Sequence, residues 1–409
     1  MATTNWKRRI LVYTLVFVGL IGLFTLLMTL AFCIPQNLIE WHVESSNYTF
    51  SIQSEWRTYF IFETNAARVD DGDDNIMINH ALVADPDMNA LEAAMSINGY
   101  SRYWHGYLVW LRPLLVLYDQ GQLRYVYMMV FFMLLCMLFT SMTRHIKKGT
   151  GVPAAVALSI ALSACYITII PTCMQYTHVF LITFAACIIL LRYYDRVNRN
   201  LPLFFMIVGM LTSFIDFLTA PLITLGIPLL MYLFIENHNS EAFSWKKRLW
   251  DIFICSALWA VGYIGCWACK WILSVLVLDS GEFGVAFGKI SDWTSDMGAG
   301  SRWVAFDKNI RYYFFEQGIR IYLVFALPLA VLLWRIVFHR NRNWHKGLVY
   351  LPVGIYPYLW YLVINGHSHF HPFFSHRIQA ITSLSIMMFL IDLALWDTKK
   401  EPFSQPDRL

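Results

Sequence analysis

The chain has 409 residues, 58% of them hydrophobic and only 14% charged, with a mean hydropathy of +0.50. A soluble globular domain carries about 25% charged residues and could not bury this much apolar surface. A soluble enzyme, a secreted domain and a disordered protein are excluded, and the net charge of +4 resolves into short basic groups between apolar runs, too short and scattered for a nucleic-acid surface.

The first run, Ile10 to Ile34, holds no charge over 25 residues and exceeds the roughly 20 needed to cross a bilayer. No small-residue cleavage site follows it, so it reads as a retained first span. Nine more apolar runs follow, at 124–141, 152–170, 174–191, 201–217, 221–235, 250–278, 319–338, 348–364 and 378–396. The pattern predicts one all-α integral-membrane domain over residues 1–409 with about ten transmembrane helices. Basic groups fall at Lys7-Arg8-Arg9, Arg144 with Lys147-Lys148, Arg192 with Arg196 and Arg199, and Lys246-Lys247-Arg248. Arg340 with Arg342 and Lys346, and Lys399-Lys400 with Arg408, complete the set. The positive-inside rule assigns all six to the cytoplasm together with both termini. Pro171-Thr172-Cys173 is the thinnest separator, where one broken helix is the alternative.

Three outer loops result, at 35–123, 279–318 and 365–377, and the first two carry 12 and 6 of the 27 acidic residues. In the first, Asp85-Pro86 predicts a helix start and Gly99 its stop, with Met88, Leu91, Met95 and Asn98 on one stripe. Gly106 to Tyr118 is apolar but too short to cross and predicts an interfacial or re-entrant helix. The late loop is rich in glycine and carries aromatic residues, which suits a lid or an ordinary connection. The eight cysteines lie in or beside apolar runs, so a disulfide framework is not expected.

Polar residues that are unusual for such a chain converge on the outer side. Asp70-Asp71-Gly72-Asp73-Asp74 is the densest carboxylate group, and crowding raises at least one pKa, as a general base requires. Its other reading is a cap, Asp73 or Asp74, for the helix predicted from Asn75, with the remaining carboxylates solvated. Asp216, near the outer end of a span, marks a functional site or an interfacial acid beside Pro221. His367, His369 and His371 alternate in a loop that, if extended, projects them from one face. They suit a divalent metal ion as a cofactor, or a phosphate shared with Arg377. His105 and Arg112 join them, Arg112 as a phosphate fork or a snorkelling side chain.

The layout resembles the GT-C class of integral-membrane glycosyltransferases. The likeness rests on Asp74-Asn75-Ile76-Met77, Arg102-Tyr103-Trp104-His105-Gly106, Asp216-Phe217-Leu218-Thr219 and His367-Ser368-His369 with Arg377, within a many-span chain that has a large acidic first outer loop. The resemblance implies transfer of a sugar from a polyprenyl-phosphate donor to a cell-envelope glycan or lipid-linked acceptor. Asp70, Asp74 or Asp216 would be the base, and Arg112, His105, Arg377, His367 and His369 would hold the donor phosphate. The catalytic acid of that class lies nearer the first span than Asp70, which keeps Glu40 and Glu44 as rivals. A transporter or flippase for a lipid-linked or anionic solute is the other functional class the sequence admits. A bacterial plasma membrane is the expected location, although Asn47-Tyr48-Thr49 would serve as a glycosylation sequon in an ER protein.

Overall fold

The structure is a computed structural model that describes residues 2–53, 56–57, 65–146, 149–216, 218–239, 243–278, 282–296, 298, 301–316, 319–339 and 344–394. Lys147-Lys148, Arg340, Arg342, Lys399-Lys400 and Arg408 of the basic groups lie outside the described residues. Among the described residues the fold is almost wholly helical, with one short antiparallel pairing, Trp56 opposite Asp70 and Arg57 opposite Val69.

Among the described residues, five helices are long and apolar enough to cross a membrane: Trp6–Phe32, Gln120–His145, Met174–Arg192, Trp245–Leu278 and Pro372–Ala394. Other apolar runs form shorter helices, Gly151–Ala164, Leu201–Ile215 and Ile223–Asn239. The run at 152–170 ends as a helix at Ala164, because Tyr166 takes a left-handed conformation (φ 57°) and Pro171 opens a separate turn at Ile170–Thr172. The run at 348–364 is not one helix either. It divides into Leu351–Gly354 and Tyr356–Val363, each with a proline in its first turn, after a 3-10 stretch Trp344–Tyr350.

Caps fix the helices of the first loop. The predicted Asp85 start is replaced by Asn89, which forms a reciprocal capping box with Glu92 for Ala90–Ser96. Asp119 and Gln122 form the same device ahead of Gln120–His145. The interfacial helix forms as Leu108–Leu115, and the late loop supplies Glu282–Thr294 and Arg302–Ile310.

Helix ends gather into two polar rims. At one, Gln120 N–H donates to Ser46, Met174 N–H to Asp74, Gly106 N–H to the Phe214 carbonyl, and the Lys270 ammonium to the Met95 carbonyl. At the other, Arg192 donates to Ser141, Arg248 pairs with Glu236, His238 with Asp392, and Asn237 bonds the Lys346 carbonyl. Asp74 of the acidic segment sits at the first rim, and Arg192 and Arg248 of the described basic groups at the second.

Candidate functional site

The five-residue acidic segment separates into distinct environments. Backbone pairing of Asp70 with Trp56 holds its start, and the Asp70 side chain accepts from Asp73 N–H (2.9 Å) as N-cap of the helix Asp71–Asn79. The cap therefore exists, but it is Asp70 and not Asp73 or Asp74, and the helix starts four residues before Asn75. Asp71 pairs with Arg124 at 2.8 Å, and Asp73 accepts from the Gln175 amide at 2.6 Å.

Asp74 points the other way. Its carboxylate accepts from Met174 N–H (3.0 Å), Gln175 N–H (3.1 Å) and the Gln120 amide (3.2 Å), with the Cys173 thiol at 3.4 Å. It thus closes the N-terminus of the Met174–Arg192 helix from outside, where free N–H groups and the helix dipole favour a carboxylate. Burial pushes Asp74 up to about 7, against those two backbone N–H groups. Asp70 is pushed up to about 8 by burial and by the Asp73 carboxylate beside it. Close carboxylates that cannot both ionise hold a proton between them.

Asp70, Asp71 and Asp73 line one cleft of about 610 Å³, and His371 with Phe370 and Phe373 forms another part of its wall. Asp74 is absent from that lining, and Glu40 and Glu44 are exposed away from it. Asn47, the sequon residue, also lines the cleft and exchanges amide hydrogen bonds with Asn79 at 3.1 and 2.9 Å.

The histidine loop is helical, not extended, over Asn365–Phe370. Helical spacing places residues four apart on one face. His367 and His371 accordingly meet with ring centroids 4.9 Å apart, while His369 turns off to pack on Phe370. Trp293 of the late loop stands edge-on to both rings, at 5.0 Å from His367 and 5.7 Å from His371. Burial lowers both imidazoles, His371 to about 4, so they are neutral at pH 7. Their buried Nδ1 atoms have no hydrogen-bond partner among the described residues. Asn309 and Lys308 bond the Ser368 and His369 carbonyls, which ties the late loop to this helix.

Arg377 is buried, with its guanidinium 4.1 Å over the Tyr176 ring. Nε and Nη1 donate to the Cys165 and Phe373 carbonyls, and the buried Nη2 has no hydrogen-bond partner among the described residues. Tyr176 lies within electrostatic reach of both Arg377 and Asp70, while neither Tyr176 nor Arg377 is among the cleft residues.

The other candidates are placed elsewhere. His105, left-handed at φ 52°, uses both ring nitrogens, on the Tyr107 hydroxyl (3.0 Å) and the Tyr100 carbonyl (3.2 Å). Arg112 donates to the Ala31 (2.9 Å), Ile34 (2.7 Å) and Ala81 carbonyls and lies over Phe32. It caps the first helix from outside. Asp216 accepts from Thr219 N–H at 3.0 Å and is not among the cleft residues.

Arg124, Tyr176 and Trp293 are the participants that sequence reasoning missed. Arg124 lies just after a cap and reads only as a charge entering a span; nothing local marks Trp293. Among the described residues, no group of three His, Cys, Asp or Glu side chains is arranged to hold a metal ion. No protein-family model, curated protein or solved structure matches this chain.

Proposed function

We propose that this chain is an integral-membrane glycosyltransferase of GT-C type, moving a sugar from a polyprenyl-phosphate donor to a hydroxyl of a cell-envelope glycan or lipid-linked acceptor. The observation that carries the reading is the cleft itself, where the Asp70–Asp73 pair and His371 meet at the rim opposite the basic groups. In this reading the chain crosses a bacterial plasma membrane about ten times, with both termini in the cytoplasm and the cleft outside.

Asp70 is the base. Its carboxylate takes the acceptor hydroxyl proton as the acceptor oxygen bonds to the anomeric carbon and the bond from that carbon to the phosphate oxygen breaks. The polyprenyl phosphate leaves with the bonding pair. Arg377 and the neutral His367 and His371 supply donors toward that charge. Asp74 and Arg112 position the helices that carry these groups, and His105 and Asp216 hold the surrounding turns.

The test is transfer by purified protein from a polyprenyl-phosphate sugar to a glycan acceptor. Asp70→Asn should lower turnover on the order of 100-fold or more while leaving folding intact. A base must be deprotonated, so the wild-type rate should climb with pH toward a plateau above about 8, the value to which burial and Asp73 raise Asp70. Asp73→Asn removes one of those raising influences and should move the climb to lower pH. Unchanged turnover in Asp70→Asn, or turnover with a nucleotide sugar alone, would overturn the assignment.

A further inference from the structure

We propose that a basic cavity at the rim opposite the aspartate cleft binds the phosphate of an anionic lipid headgroup. The Met174–Arg192 helix breaks at Tyr193 (φ −120°, ψ 32°), and the short helix Tyr194–Arg199 turns away from it. This break sets Arg192, Arg196 and Arg199 around one cavity of about 490 Å³, with His145 from the end of a neighbouring membrane-length helix. Leu191 and Ile235 give the same cavity an apolar side.

Charge decides what fits. Three arginines face one acid of the lining, Asp195, which leaves a formal surplus of two positive charges. None of the three forms an ion pair among the described residues. Arg192 is steered by its Nε donation to Ser141 (3.1 Å), which leaves its terminal nitrogens for a ligand. The next acid, Glu236, accepts from Arg248 and from the Tyr194 hydroxyl, so it does not neutralise the cavity. Guanidinium groups in this number match phosphate oxygens. The apolar side, together with exposed Tyr193 at the end of a membrane-length helix, places that phosphate at headgroup depth and its acyl chains against the helices.

The experiment uses the full chain, purified and delipidated, with thermal unfolding followed in detergent. Added phosphatidylglycerol should raise the midpoint by several degrees, and phosphatidylcholine or glycerol 3-phosphate should not. The triple variant R192Q/R196Q/R199Q should lose most of that increment. Equal shifts with phosphatidylcholine, or a full increment in the variant, would overturn the site. An equal shift with glycerol 3-phosphate would overturn the lipid as its source. If the triple variant does not fold, native mass spectrometry of Arg196→Gln decides: fewer bound phosphatidylglycerol molecules than wild type supports the site, and the same number overturns it.

Discussion

Arg112 shows how a charge inside an apolar stretch acquires its meaning from distant backbone. Its side chain reads in sequence as a lipid-phosphate fork because the donors are visible and the acceptors are not. Those acceptors, the Ala31, Ile34 and Ala81 carbonyls, lie 81, 78 and 31 residues away along the chain. A helix C-terminus leaves carbonyls without internal partners, and a guanidinium satisfies several at once. Arg112→Ala would strand the Ile34 and Ala81 carbonyls and leave that of Ala31 with only the Ile34 N–H, at about 1–3 kcal/mol for each stranded carbonyl before relaxation. We expect a net loss on the order of 3–5 kcal/mol, seen as a large fall in the unfolding midpoint in detergent, with Arg112→Lys recovering only part. Unaltered stability with lost transfer would restore the phosphate role. The acidic cluster and the histidines were legible as a site because their residue types are rare in such a chain. Which members share the cleft was not: the face of each histidine depends on helical rather than extended spacing, and Asp74 is claimed by a helix 100 residues later.

At the scale of elements, hydropathy located the apolar runs well and their continuity poorly, because it counts apolar side chains and is blind to where the hydrogen-bond ladder breaks. Prolines 352 and 357 interrupt one run, and the left-handed Tyr166 ends another. The tightest helix pairing also escaped it. Leu201–Ile215 and Trp245–Leu278 cross at two glycines, where a Cβ on Gly209 would lie 2.2 Å from the Trp259 carbonyl oxygen and one on Gly262 2.2 Å from that of Met206. Small residues permit this approach of backbones. The contact has consequences at the first rim, since the second helix presents Trp267 and Trp271, whose indoles both donate to the Arg102 carbonyl, and Lys270, which holds Met95. Gly262→Val must separate the helices, because its obstacle is backbone and cannot rotate aside. We expect a cost of about 1–3 kcal/mol in stability, with increased protease sensitivity in the first loop around 95–105. Unchanged unfolding and unchanged cleavage would show that the crossing tolerates separation.

For the whole molecule, the two rims give topology a physical basis that composition alone could not. Gln120–His145 and Met174–Arg192 each run from the first rim to the second, and the Lys7-Arg8-Arg9 group starts near the second, with Tyr13 against Leu203. In the proposed topology, the retention of Lys and Arg on the cytoplasmic side turns the first rim outward. That orientation is testable in intact cells once the exposed native Cys33 and Cys136 are replaced by serine. Single cysteines at Asn37 and Ser295, both exposed at or near the acidic rim, should react with an impermeant thiol reagent. One at exposed Ser244, beside the basic group that opens Trp245–Leu278, should react only after the cells are permeabilised. The reverse pattern would turn the cleft toward the cytoplasm, where nucleotide sugars are supplied, and the case for a lipid-borne donor would fail with it. Reaction at all three positions in intact cells would mean that the rims do not lie on opposite sides of a bilayer. The labelling therefore tests the orientation and the donor chemistry together, because a polyprenyl-phosphate sugar presented outside is useful only to a site that opens there.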